Sequence, residues 1–190
     1  SSKCNLFTDD EDSSSSETSE DSEFGGMTLD DDQRKEVIEK TKEILNIADQ
    51  LFPELKGKTF ELTGLGWHQG WNDRINQSFN DAYEKNMIKF IEDVRRDLEK
   101  PNLPFVIAET GMSGPEEKHP RALSLMAAQK AAADHPEFKG NVAFVPTRDL
   151  YRPAEDSPSH QAYHWNNNAE TYYLLGKHMG EAMLELLKSK

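Results

Sequence analysis

Between residues 64 and 73 the chain reads Gly64-Leu65-Gly66-Trp67-His68-Gln69-Gly70-Trp71-Asn72-Asp73, a run rich in groups that bind rather than fill. The backbone N–H of Gly70 and the side-chain amide of Asn72 are donors of the kind that hold an oxyanion developing in acyl transfer. The bland use of Asn72 is an Asx turn closing on its own backbone. Trp67 and Trp71 offer flat apolar faces to a sugar ring, or else fill the edge of a sheet. His68 and Gln69 are candidate substrate contacts, and Asp73 more naturally holds the loop by hydrogen bonds. Near the far end lie His160 and His164. A neutral imidazole at His164, just before the last predicted helix, can take a proton from a hydroxyl nucleophile. The four-residue spacing of the two histidines is that of a zinc pair, but no Glu stands beside the first and Pro158 opposes a helix there. No metal and no other cofactor is predicted. Ser113, in Gly111-Met112-Ser113-Gly114, lacks the Gly-x-Ser-x-Gly spacing of a nucleophile elbow. Arg148 and Arg152 can bind an anionic substituent or form surface ion pairs.

The elements that must position these groups alternate. Apolar residues at three- and four-residue steps predict helices over 30–52, 76–100, 120–134 and 167–187. An apolar/polar run predicts a strand over 59–65 and apolar runs predict strands over 103–108 and 141–145, the run 103–108 continuously apolar as in a strand covered on both faces. Thr28 or Asp30 can cap the first helix, and Pro53 with Gly57 ends it. The order helix, strand, helix, strand, helix, strand, helix predicts an α/β fold: three layers, with a parallel sheet between helices. Right-handed crossovers bring the segments after all three strands to one edge, so 66–76, 109–118 and 147–168 are expected to converge. The irregular stretch 146–168 is long enough to be functional in its own right. Three strands make a thin sheet, which suggests that strands normally preceding Asp30 are missing or lie in another chain.

The 190 residues suffice for one domain. Mean hydropathy is −0.82, and the polar excess sits at the front. Eleven acidic residues against one Lys put −10 in residues 1–32, leaving −3 of the formal −13 for the rest. Residues 1–29 therefore read as an acidic, disordered segment, and 30–190 as the folded part. Neither part has the basic patch that recruits nucleic acid or anionic lipid. No apolar run approaches a membrane span. The single cysteine, Cys4, permits no intrachain disulfide. The first residues lack the basic and apolar regions of a signal peptide, and the chain opens without Met.

Gly70-x-Asn72-Asp73 resembles the third conserved block of the SGNH hydrolases. The wider Trp67-His68-Gln69-Gly70-Trp71-Asn72-Asp73 resembles the Trp-x-Gln-Gly segment of their sialate O-acetylesterase and acetylxylan esterase branch. Tyr163-His164-Trp165-Asn166, followed by Ala169-Glu170-Thr171-Tyr172-Tyr173-Leu174-Leu175-Gly176, is similar to that branch's catalytic-histidine block and closing helix. The likeness runs from about residue 30 to the end, with both motifs in the family's order. It implies an SGNH, flavodoxin-like three-layer fold, an acetylated carbohydrate as substrate, and an extracellular or secretory location. It also implies an oxyanion hole containing Gly70 and Asn72, and His164 as general base of a Ser-His type acyl transfer.

Two departures from that pattern stand out. No Gly-Asp-Ser block occurs in the chain, and the position three before His164, often Asp in the family, is Gln161. Asp156 is the candidate to orient His164; otherwise the site works as a dyad. The expectation is the C-terminal portion of a carbohydrate esterase whose nucleophile block lies outside these residues. The alternatives are a catalytically inactive carbohydrate-binding relative and a hydrolase of other esters on the same scaffold.

Overall fold

A computed structural model describes residues 31–189. The acidic segment 1–29, Cys4 and the candidate caps Thr28 and Asp30 lie outside the described residues. Eight elements follow in order: α1 (Asp31–Leu51), β1 (Leu65–Trp67), α2 (Trp71–Ile75), α3 (Gln77–Asp97), β2 (Phe105–Ala108), α4 (Pro120–Ala133), β3 (Val142–Val145) and α5 (Ala169–Lys188). Short 3-10 turns punctuate the connections, three of them between β3 and α5.

The strands form one parallel sheet in the order β1-β2-β3, with Leu65 opposite Phe105 and Phe105 opposite Val142. Because the order does not reverse, right-handed crossovers put α3 and α4 on the same face. There Tyr83, Met87, Ile91 and Leu125 pack on Phe105 and Ile107. The pleat turns Val106 the other way, where it meets Val145, Leu186 and the methionines Met179 and Met183 of α5. The fold is thus α/β, with a central parallel sheet between helical layers, and β2 is buried along its whole length.

Side-chain caps mark the starts of α3 and α5. Asn76 accepts from Ser78 N (3.0 Å) and Phe79 N (3.3 Å) ahead of α3, and Asn168 accepts from Thr171 N (3.2 Å) ahead of α5. α1 buries Ile38 and Ala48 but leaves Ile44 and Leu51 exposed, as is Phe52 just past its end. No described helix is long and apolar enough to cross a membrane.

The strand expected over 59–65 is corrected. Residues 59–64 are not in the ladder, and β1 starts at Leu65 and runs into Trp67. The reason lies in the partner. β2 begins only at Phe105, after a turn at Pro101 and Asn102, and Pro104 can accept from Leu65 N (2.9 Å) but has no N–H to return. β1 turns Leu65 and Trp67 toward α3, while Gly66 lies under α5, where a Cβ would come 2.9 Å from the Met179 methyl.

Candidate functional site

The segments after the three strands meet at the C-terminal edge of the sheet, and side chains stitch them together. The stitching centres on Gln129 of α4, which is fully buried. Its Oε1 accepts from the backbone N–H (2.9 Å) and hydroxyl (3.1 Å) of Thr110. Its Nε2 donates to the Gln69 carbonyl (3.0 Å) and to the Tyr83 hydroxyl (3.3 Å), which itself donates to Gln69 O (3.1 Å). The segment after β2 is tied to the one after β3 in a similar way. Thr147 N donates to Glu109 Oε2 (2.9 Å), Thr147 Oγ1 donates to Glu109 O (2.7 Å), and Gly111 N donates to Thr147 Oγ1 (3.2 Å). Tyr83, Gln129, Glu109 and Thr147 carry no motif; only an amide within an alanine-rich stretch marks Gln129 in the sequence.

Within this frame Gly70 is buried at the start of α2, and a Cβ there would stand 2.7 Å from Thr110 Cγ2 and 2.9 Å from Leu125 Cδ2. Asn72 is exposed in the first turn of α2. Gln69 donates to the buried carboxylate of Asp73 (2.8 Å), holding the loop as expected of Asp73. Trp67 packs on Phe90, with ring centroids 4.6 Å apart. Trp71 lies between the Arg74 guanidinium, 4.9 Å from its ring centroid, and the Tyr163 ring, 5.3 Å away. Tyr163 in turn lies 4.4 Å from the ring of His164, which is exposed. The two sequence motifs are therefore neighbours, through Trp71 and Tyr163.

Other candidates are spent on the scaffold. Arg148 donates to the carbonyls of Gly114 (3.1 Å) and Pro115 (2.5 Å), and Arg152 pairs with Glu170 (3.0 Å). Asp156 is exposed and contributes its backbone carbonyl to Asn168 (3.2 Å). Among the described residues, its carboxylate and His164 share no hydrogen bond. Gln161 accepts from Asn167 at its side chain (3.0 Å) and from His164 N at its carbonyl (2.8 Å).

His164 opens into an unusual turn. Trp165, Asn166 and Asn167 have φ of 51°, 52° and 56°, three successive residues in the left-handed region. Asparagine tolerates that region; an aromatic side chain costs roughly 1–2 kcal/mol there. Such a turn persists only where its surroundings over-determine it. Trp165 is 1% exposed, and its indole N–H donates to His68 Nε2 at 3.1 Å. Asn166 donates to Arg152 O (3.0 Å), Asn167 to Ser159 Oγ (2.9 Å), and the Tyr172 hydroxyl to His164 O (2.9 Å).

Among the titrating groups that these surroundings displace are His68 and Glu117. Burial lowers the pKa of His68, partly offset by the Ala108 carbonyl, 3.5 Å from Nδ1. Burial alone would raise the Glu117 carboxyl, but the His119 N–H, Ser113 and the Arg74 guanidinium outweigh it and hold it below its ordinary value. Arg74 and Glu117 lie 2.8 Å apart and bridge the segments after β1 and β2.

What the edge presents is an exposed imidazole and an exposed amide, with an aromatic pair joining their segments. That set suits proton transfer and oxyanion binding at an ester held against aromatic rings. No curated protein and no solved structure matches the chain. A family model does: residues 25–185 match the one described as carbohydrate esterase, sialic acid-specific acetylesterase. With most of its length matched, the chain belongs to that carbohydrate esterase family.

Proposed function

We propose that these residues form the acid–base and oxyanion side of a carbohydrate O-acetylesterase. His164 takes the proton from a serine hydroxyl as its oxygen attacks the acetyl carbonyl. The carbonyl π electrons move to oxygen, where the Gly70 N–H and the Asn72 amide receive the negative charge. Collapse expels the sugar alkoxide, which His164 protonates. Water, deprotonated by the same imidazole, then releases acetate and frees the serine. The serine belongs to a Gly-Asp-Ser block outside these 190 residues. Trp71 and the exposed ring of Tyr163 form an aromatic wall for the sugar.

The single observation that carries this proposal is the 5.3 Å contact of Trp71 with Tyr163, which sets the residues next to Asn72 and His164 against each other. The test joins the chain to a Gly-Asp-Ser-bearing upstream segment and follows hydrolysis of p-nitrophenyl acetate and of acetylated sugars. His164→Ala is expected to lower turnover by about 10²–10⁴-fold, and Asn72→Ala by about 10²–10³-fold. Unchanged turnover in His164→Ala removes the imidazole from the mechanism.

A second reading, sugar binding without catalysis, is favoured by the lack, among the described residues, of a hydrogen bond between the Asp156 carboxylate and His164. It predicts sugar affinity that Trp71→Ala weakens, with no acetate released by the extended chain.

A further inference from the structure

We propose that His68 is a positioning residue: it holds Trp165, and through it the left-handed turn behind His164, against the segment that carries Asn72. The consequence for catalysis rests on the esterase proposal; the positioning itself does not.

Hydrogen-bonding roles fix how His68 acts. An indole N–H can only donate, so the His68 Nε2 that faces it at 3.1 Å must be an unprotonated acceptor. The proton then sits on Nδ1, the nitrogen on the side of the Ala108 carbonyl. Both ring nitrogens thus face protein partners, and a proton on Nε2 would set N–H against N–H. A ring held in this way is suited to orientation rather than to proton transfer.

Apolar packing of Trp165 among Ala108, Met112 and Trp71 holds the turn near the neighbouring segments, but that packing has no direction, and among the side-chain hydrogen bonds only the one to His68 orients it. Its other side-chain bonds run within its own segment or to α5: Asn166 to Arg152, Asn167 to Ser159 and Gln161, Tyr172 to His164. The bond from Trp165 to His68 crosses to the segment after β1, 97 positions away in sequence. It sits beside the contact of Trp71 with Tyr163. Three consecutive left-handed residues, one of them aromatic, would relax if that anchor were lost.

The test uses nitrogen and proton NMR on the full chain. In the unaltered protein, His68 is expected to carry its proton on Nδ1, and the Trp165 indole N–H to be protected from exchange. His68→Phe keeps a flat ring without the acceptor. It should cut indole protection at least roughly tenfold, the equivalent of about 1.4 kcal/mol. It should also weaken the Trp71–Tyr163 cross-peaks and leave those between Tyr83 and Phe105 intact. His68→Gln, which restores an acceptor, should recover part of both losses. A proton found on Nε2, or unaltered protection in His68→Phe, overturns the proposal. The tautomer is measured on the unaltered chain, so it decides the matter even if His68→Phe does not fold. In the extended, active chain, His68→Phe should lower kcat on the order of 10²-fold, the cost of a displaced catalytic group, with KM little changed. If the extended chain shows no esterase activity while the NMR results hold, the esterase proposal fails and the positioning of Trp165 stands.

Discussion

Gln129 shows how much one side chain can decide at this edge. Its amide is used at both ends, accepting twice from Thr110 and donating to Gln69 and Tyr83. A methionine of similar length would leave the Thr110 N–H without its acceptor and take a donor from Gln69 O. At about 1–3 kcal/mol for each buried group left unsatisfied, Gln129→Met should cost roughly 2–4 kcal/mol in urea unfolding. Gln129→Glu separates charge from shape. An ionised carboxylate still accepts from Thr110 but turns its other oxygen onto the Gln69 carbonyl. Burial therefore raises the new carboxyl's folded pKa. A raised folded value means that the contribution to stability is present below the unfolded pKa and lost as pH rises. The deficit of Gln129→Glu relative to the parent should thus be large at neutral pH and shrink toward about pH 4. A deficit that is flat across that range contradicts this account. Beyond an amide standing in an alanine-rich stretch, nothing in the local sequence announces the role, because both partner segments lie outside the helix, 19 and 60 positions away.

At the scale of elements, the starts of α3 and α5 are legible because their determinants are local: Asn76 and Asn168 cap within three residues of themselves, whereas the short α2, inside the stretch 66–76 expected as a loop, has no side-chain cap to announce it. β1 was misplaced because a strand's length is set by its partner, and β2 gives out at Pro104. The same distinction governs two glycines that look alike in sequence. A Cβ on Gly66 meets the end of a methionine, which can swing aside. A Cβ on Gly70 meets Thr110 Cγ2 and Leu125 Cδ2, both held in the packed junction of loop and α4. Gly70→Ala should therefore cost about 1–3 kcal/mol, as overpacking does, and Gly66→Ala clearly less. Thermal unfolding of the two variants measures the difference, and equal costs would mean that the loop yields as readily as the methionine. The motif around Gly70 was visible as a site for chemistry; that its glycine is also a packing requirement of α4 was not.

Taken whole, the molecule joins an apolar core to a polar crown, and the two should respond differently to acid. The core around Tyr83, Phe105, Ile107 and Leu125 is held by burial. The crown is held partly by groups that titrate. His68 has a lowered folded pKa, so the unfolded chain takes up its proton first, near the ordinary value of about 6.5. Its contribution is complete above that value and declines as pH falls from there toward the folded pKa. Glu117 is lowered as well, so its contribution is present above the ordinary carboxylate value of about 4.3 and is lost as pH falls through the folded value. Acidification should therefore release the crown in two stages. Residues 159–168 should lose amide protection first, between about pH 7 and 5. The segments bridged by Arg74 and Glu117, residues 71–76 and 113–119, should follow below about pH 4. Through both stages the amides of β2 should stay protected, since opening the crown leaves the ladder from Phe105 to Ala108 in place. Hydrogen exchange at about pH 7.5, 5.5 and 4, corrected for intrinsic rates, reads the order directly. Simultaneous loss in β2 and in residues 159–168 would show instead that crown and core unfold as one unit.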